Sequence, residues 1–250
     1  MQKQKIIVVG DVHGEWSWER IVEKHPDGKF VFLGDYCDPY NQELAEENVV
    51  ENLRRIIELK KGSPDNVVLL LGNHDIQYIY KEAEFCSRYM YPVAHEIGNL
   101  FKENIALFEK VHNFENILFT HAGITEEWFK TTFPNVESEN AVSVIKESYD
   151  KKSLFACGIS RWGKELYGGI FWADRREFEN PLDGWVQVVG HSRVSDILLK
   201  QTGEQKVIIF CDCLMHGKYL SIETDVNCFA FYAQHIEGDE KKLVYKHPIL

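Results

Sequence analysis

Along the first half of the chain, short apolar runs alternate with longer amphipathic ones. Residues 5–10 (KIIVVG), 29–34 (KFVFLG) and 66–72 (NVVLLLG) are near-continuous apolar runs, the pattern of strands buried on both faces. A polar, Trp-containing stretch reaching about Lys24 follows the first run. Residues 42–61 (QELAEENVVENLRRIIELKK) follow the second, with Leu44, Val49, Leu53, Ile56, Ile57 and Leu59 approximating a helical stripe. This order predicts parallel strands joined by helical crossovers. Each strand ends at a glycine followed at once by a polar residue: Gly10-Asp11, Gly34-Asp35 and Gly72-Asn73. Ligands of open α/β sheets bind at the carboxyl ends of the strands, so these three loops should converge.

Further on, residues 95–110 predict a helix, 115–124 a fourth strand with His121 at its end, and 125–165 a mixture of helix and loop. After Trp185 the texture changes to short β-rich runs, GWVQVVGHS, DILLKQ, QKVIIFCD, KYLSIET, NCFAFYAQ and KKLVYKH, separated by turn signals such as TGEQ and EGDE. They predict a second, mostly antiparallel sheet. No Pro/Gly/Ser linker divides the halves, which predicts a single domain over residues 1–250 in which two packed sheets are flanked by helices.

Composition adds mainly exclusions. With 250 residues, 44% of them hydrophobic, the chain can bury a sizeable core. Its longest aliphatic runs, 6–9 and 67–71, are far too short to span a bilayer, and the amino terminus lacks the roughly 7–15-residue apolar region of a signal peptide. A soluble, cytoplasmic protein without a membrane partner is expected. The six cysteines are scattered, with no Cys-x-x-Cys pair, so neither a disulfide framework nor a zinc ribbon is indicated. A net charge of -11 argues against a general nucleic-acid surface, although it leaves room for a local basic pocket.

The polar residues gathered at strand ends are Asp11, His13, Asp35, Asn73, His74, His121 and His191. A lone histidine at a strand end is ordinarily capped or solvent-facing, but this set is made of metal-ligand types throughout. Carboxylate with imidazole suits Mn, Fe or Zn, with Mg as a further alternative, and the absence of thiolates argues against a closed structural zinc site. So many ligands suggest two divalent ions.

In order along the chain stand GDVHG (10–14), GDYCD (34–38), GNHD (72–75), THAG (120–123) and VVGHS (188–192). The sequence thereby resembles the calcineurin-like metallophosphoesterase superfamily, and within it the phosphoprotein phosphatase (serine/threonine phosphatase-like) branch. The resemblance implies a four-layer α/β/β/α sandwich of two mixed sheets flanked by helices. It implies hydrolysis of phosphomonoesters, on phosphoprotein or small molecule, by a metal-activated hydroxide with two divalent ions, Mn foremost. Asp11 and His13 would bind the first ion, Asp35 would bridge both, and Asn73, His121 and His191 would complete the second. Two cations roughly 3.5–4 Å apart polarise a phosphoryl group and stabilise attacking and leaving oxygens. By the same resemblance His74 would protonate the leaving group and Asp38 would orient it.

The chain departs from that branch at Asp38-Pro39-Tyr40, where the branch has Asp-Arg-Gly, so an arginine expected to hold the substrate phosphate is absent. Asp75 stands where the branch usually has Glu. Arg175 or Arg176 in GGIFWADRRE, delivered by an expected strand GGIFW, could supply the missing contact, with Arg161 the next candidate and Tyr40 offering a hydroxyl or a stacking face. The aromatic run at 78–92 reads better as core or lid packing than as a base platform. Two other functions stay open at this level. One is a symmetrical dinucleoside polyphosphate hydrolase; the other is a noncatalytic binding scaffold, which the complete ligand set discourages.

Overall fold

The apolar runs become strands whose alternate residues serve two different layers. In the computed structural model, which describes residues 4–41, 43–148, 152–224 and 227–249, the elements in order are β1 (Lys5–Val9), α1 (Ser17–Lys24), β2 (Lys29–Phe32), α2 (Glu46–Gly62), β3 (Val67–Leu70), α3 (Asn73–Ile79), α4 (Ala94–Glu103), β4 (Phe108–Glu109), β5 (Val111–Phe114), β6 (Ile117–Thr120), α5 (Glu126–Thr132), α6 (Ala141–Glu147), β7 (Trp185–Val189), β8 (Leu198–Gly203), β9 (Lys206–Phe210), β10 (Lys218–Thr224), β11 (Cys228–His235) and β12 (Lys241–Pro248). Gln42, where the second helix was expected to begin, and residues 149–151 of the mixed segment lie outside the described residues.

Ile7, Val9, Phe30, Phe32 and Leu69 pack with Trp18 and Ile21 of α1 and Val49, Leu53 and Ile56 of α2. Their neighbours Ile6, Val8, Val31, Leu33 and Leu70 pack instead with Phe119, Val186, Val188, Ile208 and Phe210 of the other sheet. The period-two alternation of a strand thus divides each run between a helix layer and a sheet-on-sheet layer. Each large side chain buried this way stabilises the fold by about 1.5–3 kcal/mol. The fold is α/β, two mixed sheets with helices outside.

One sheet runs β12-β11-β10-β1-β2-β3-β4 and the other β5-β6-β7-β9-β8. Strands β1 to β4 are parallel, as the crossovers require. The second half does not build a sheet of its own. Strands β10 to β12 extend the first sheet antiparallel along the edge that β1 leaves unpaired by β2, which removes an exposed edge next to the core. Strands β7 and β9 run parallel to β6, and only β5 and β8 at the edges are antiparallel.

Residues 95–110 also divide differently from the single helix expected. The helix α4 ends at Glu103, and Phe108 and Glu109 pair with Leu69 and Leu70 as a short edge strand. An apolar residue beside a strand edge gains more by pairing than by extending a helix whose next turn faces solvent. The expected strand GGIFW is a turn, pinned where Ile170 O accepts the Ala122 N–H at 2.9 Å. Among the described residues no helix is long and apolar enough to cross a membrane.

Candidate metal centre

The loops that leave β1, β2, β3, β6 and β7 meet at one end of the two sheets. They bring together Asp11, His13, Asp35, Asp38, Asn73, His74, His121 and His191, all buried. Two groups of donor atoms lie within 4.8 Å of one another, His13 with Asp35 and His74, and Asp35 with His121 and His191. Asp35 belongs to both. Its Oδ2 stands 3.6 Å from His13 Nε2 and 3.5 Å from His121 Nε2. Asp11 lies outside those two groups, with both its carboxylate oxygens accepting the His191 N–H, at 3.1 and 3.0 Å.

Backbone carbonyls fix the imidazole tautomers. Nδ1–H of His13 donates to Cys37 O and Nδ1–H of His121 to Leu33 O, each at 2.8 Å, which leaves both Nε2 atoms as acceptors aimed inward. His121 Nε2 then faces Asn73 Oδ1 at 2.9 Å, one acceptor against another, and His191 Nδ1 lies 2.8 Å from the same oxygen. The Asn73 amide is turned this way because its Nδ2 donates to Cys86 Sγ at 3.0 Å. Between His121 and Asn73 buried lone pairs converge with no proton between them, and a divalent cation satisfies such a pair. The donor set of oxygens and imidazole nitrogens therefore fits a hard or borderline dication.

Burial holds the three imidazoles in the neutral form a ligand needs. It pushes His13 down to about 3, lowers His121, and with Arg161 nearby drives His191 well below its ordinary value. Burial also raises Asp11, helped by the charges of Asp212 and Asp35. Asp35 goes the other way: burial works against its carboxylate, but His121, His74 and His13 around it hold it below the usual range.

A shell of unligating residues shapes these loops. The Asp75 carboxylate accepts the N–H groups of Gly72 at 2.7 Å, Asp35 at 2.8 Å and Tyr36 at 2.9 Å, tying the loop after β3 to the loop after β2. Asn52, on the buried face of α2, donates to the carbonyls of Gly14 and Glu15 and accepts from Trp18 Nε1. His13, Asp35, Asp38 and His191 all have positive φ, between 44° and 59°, a conformation that costs energy in residues other than glycine and gathers at functional sites. At Gly72 and Gly190 a Cβ would come within 2.1 Å of Asp35 Oδ1 and 2.0 Å of Asp11 Oδ1, so the motif glycines leave room for the carboxylates.

His74 Nδ1–H donates to Asp38 Oδ2 at 2.7 Å, and the remaining Nε2 is free for the cleft. Asp38, fully buried, also accepts from Gln77 and from the Tyr78 hydroxyl. Burial raises its pKa, and the hydrogen bonds from His74 and Tyr78 oppose that rise. The segment after α3 closes over this pair. Cys86 N–H donates to Gln77 Oε1 at 2.9 Å, Met90 N–H to Tyr78 Oη at 2.9 Å, and Arg88 Nε to Asp38 O at 3.0 Å.

Above the centre lies a cleft of about 650 Å³ lined by Asp35, Asn73, His74 and His191 below and by Tyr40, Arg88, Arg161, Arg193 and Lys164 at its sides. Tyr40 is held between two guanidinium groups, those of Arg88 and Arg193, at 4.0 and 4.3 Å from its ring centre. Arg161 lies in this cleft with its Nε 2.6 Å from Asp174 Oδ2 and its Nη2 3.1 Å from Ser192 Oγ. Arg175 and Arg176 are exposed and line a neighbouring basin instead. With GGIFW a turn rather than a strand, nothing projects them over the metal-ligand groups. The aromatic run divides: Tyr78 and Met90 are buried, while Phe85 is 73% exposed and reaches the cleft.

Sequence reasoning missed Arg88, Arg193, Asn52 and Asp212. Asn52 carried a readable signal, a polar residue inside an apolar helical stripe. Asp212 follows β9 as Asp11 follows β1, and burial with the charge of Asp35 pushes it up to about 7. Arg88 and Arg193 gave no local signal, since each reaches the cleft from a loop of irregular structure.

The family profile described as calcineurin-like phosphoesterase matches residues 4–212. The serine/threonine-protein phosphatase PP1-delta of Caenorhabditis elegans is 38% identical over 90 residues, a stretch covering 33% of this chain and 28% of that protein. Among solved structures, a protein serine/threonine phosphatase from Saccharomyces cerevisiae with similarity to human phosphatase PP5 superimposes with a TM-score of 0.53 at 18% identity. That match covers 88% of this chain and 72% of the other. The structural likeness concerns the fold.

Proposed function

The chain belongs to the calcineurin-like phosphoesterase family, and from that premise we propose that it is a dinuclear metal-dependent phosphatase of the phosphoprotein phosphatase type, acting on phosphomonoesters. The observation that carries this reading is Asp35 placed between two sets of inward-facing imidazole acceptors, with the His74–Asp38 pair beside them. Asp11 and His13 would hold one ion, Asn73, His121 and His191 the other, and Asp35 would bridge them. The ions, manganese foremost, would supply Lewis-acid polarisation of the phosphoryl group and a bound water of lowered pKa.

The protein's own groups do the remaining work. Arg161 and Arg88 both line the cleft, and two guanidinium groups there suit the tetrahedral oxygens of a phosphoryl group. The Arg88 side chain arrives from a residue at φ 64°, and thus supplies a cation close to where Pro39 and Tyr40 replace Arg-Gly. His74 Nε2–H would give its proton to the departing ester oxygen, with the Asp38 carboxylate accepting from Nδ1–H to keep the ring aligned. The common apolar core of the two sheets supports a single domain, and the composition supports a cytoplasmic setting.

The test is hydrolysis of para-nitrophenyl phosphate by the manganese-loaded protein, expected to vanish on chelation and return with added manganese. Hydrolysis undiminished after complete metal removal would overturn the proposal. Arg161→Ala is expected to raise KM and lower kcat/KM by roughly tenfold, as loss of a charged hydrogen bond of about 1.5–3 kcal/mol implies, with metal content unchanged. Wild-type kinetics in that variant would leave Arg88 as the main phosphate contact.

A further inference from the structure

The chain carries eight arginines and a net charge of -11, yet five of the eight, Arg88, Arg161, Arg175, Arg176 and Arg193, line the metal-side cleft and the basin next to it. The other three are all engaged by glutamates, Arg20 by Glu237, Arg54 by Glu96 and Arg55 by Glu19. The cluster of five is not neutralised in this way. Arg161 and Arg176 share a single carboxylate, Asp174, at 2.6 and 2.7 Å. Among the described residues neither Arg175 nor Arg193 has an ion-pair partner. Guanidinium groups gathered without carboxylate partners of their own repel one another, and a bound anion relieves that repulsion.

The basin beside the cleft has a volume of about 280 Å³ and is lined by Arg161, Asp174, Arg175, Arg176, Ser192 and Arg193. Arg161 and Arg193 line both cavities, so the two are continuous through a pair of guanidinium groups. Ser192 adds a directed donor. Its hydroxyl oxygen, on a residue only 3% exposed, accepts from Arg161 Nη2 at 3.1 Å and from Arg175 N–H at 3.2 Å. With both of those donors pointing at it, the hydroxyl proton is left over, and no acceptor for it exists among the described residues. The basin therefore presents guanidinium groups and a free hydroxyl donor with one carboxylate among them, which is the chemistry of a phosphoryl-binding site.

We propose that this basin is a second anion subsite, and that the preferred substrate is a phosphoester carrying a second phosphoryl group, bound by Arg175, Arg193 and Ser192 while the first lies over the metal centre. The proposal rests on the phosphoesterase reading for the first site, but its test does not depend on turnover. Arg161 and Arg193 stand between the two positions and would contact either group, which sets the order in which the subsites are tested. Arg175 is the diagnostic residue, because it lines only the basin and is exposed enough to be removed without disturbing the core.

Non-hydrolysable α,ω-alkane bisphosphonates of graded length, each paired with the alkylphosphonate of the same chain, would be titrated calorimetrically into the manganese-loaded protein. At least one bisphosphonate is expected to bind roughly tenfold or more tightly than its monophosphonate partner, the scale of one added charged contact. Arg175→Ala should remove most of that advantage while leaving monophosphonate affinity within about twofold, and Arg175→Lys should recover part of it. Equal binding of every pair, no binding by either member, or an equal loss for both members in Arg175→Ala would overturn the second subsite. Failure to hydrolyse para-nitrophenyl phosphate would count against the phosphatase reading alone, because the titrations need no reaction.

Discussion

Asp35→Asn is expected to strip metal from both halves of the centre, whereas His13→Asn and His121→Asn should each weaken one half. The argument is positional. Oδ2 of Asp35 is 3.6 Å from His13 Nε2 and 3.5 Å from His121 Nε2, and Asp35 is the residue shared by the two donor groups. Oδ1 has a separate task, accepting the His74 N–H at 2.8 Å. An asparagine can keep that second contact through its own oxygen, so the loops should stay in place while the negative charge between the two groups is lost. Activity should then fall by at least the ~10²–10³-fold that removal of one strong electrostatic stabiliser costs. Elemental analysis of the purified variant, with circular dichroism to establish folding, provides the check. Two fully retained ions per chain would remove Asp35 from the bridging position.

His74→Asn should separate substrates by leaving group. A proton donor matters most where the departing oxygen is a poor leaving group, so alkyl phosphates should slow by roughly 10²–10⁴-fold and aryl phosphates much less. Metal content should hold. The geometry makes this a pointed test, because His74 lies in one of the donor-atom groups as well as beside Asp38, and a ligand role predicts a different outcome. Equal losses on alkyl and aryl esters, accompanied by loss of an ion, would make His74 a ligand. Asp38→Asn should act through His74 and so reproduce the alkyl selectivity in weaker form. The amide oxygen of an asparagine can still accept from His74 and Gln77, which share Oδ2 of the carboxylate, while its amide nitrogen takes the place of Oδ1 beside the Tyr78 hydroxyl.

Much of the site was legible because it is written at strand ends. A buried parallel strand must stop where its apolar run stops, and the residues that follow are forced to the same end of the sheet. Asp11, Asp35, Asn73 and His121 could therefore be placed together before any contact was known. The second half was harder to read. Its six β-rich runs were correctly spaced, but pairing partners depend on which edges remain open, and the open edge of β1 lay some two hundred residues away in the chain. Residues 95–110 failed for a related reason: Phe108 reads as helical locally, and only the edge of β3 makes it a strand.

The sequence by itself determined the strand–loop grammar of the first half, the identity of the ligand-type residues and the absence of an arginine after Asp38, because each of these is set by local periodicity or by residue type. Tertiary structure alone decided how the charges are shared. It placed Arg88 and Arg193 on either side of Tyr40, moved Arg175 and Arg176 to an adjoining basin, and made Asp75 a brace between two loops. Those outcomes depend on loops of irregular backbone brought together across both sheets. A long, flexible arginine leaves no periodic trace of where its guanidinium will lie, and its position is settled only when the cleft walls, the positive-φ turns and the few available acceptors exist around it.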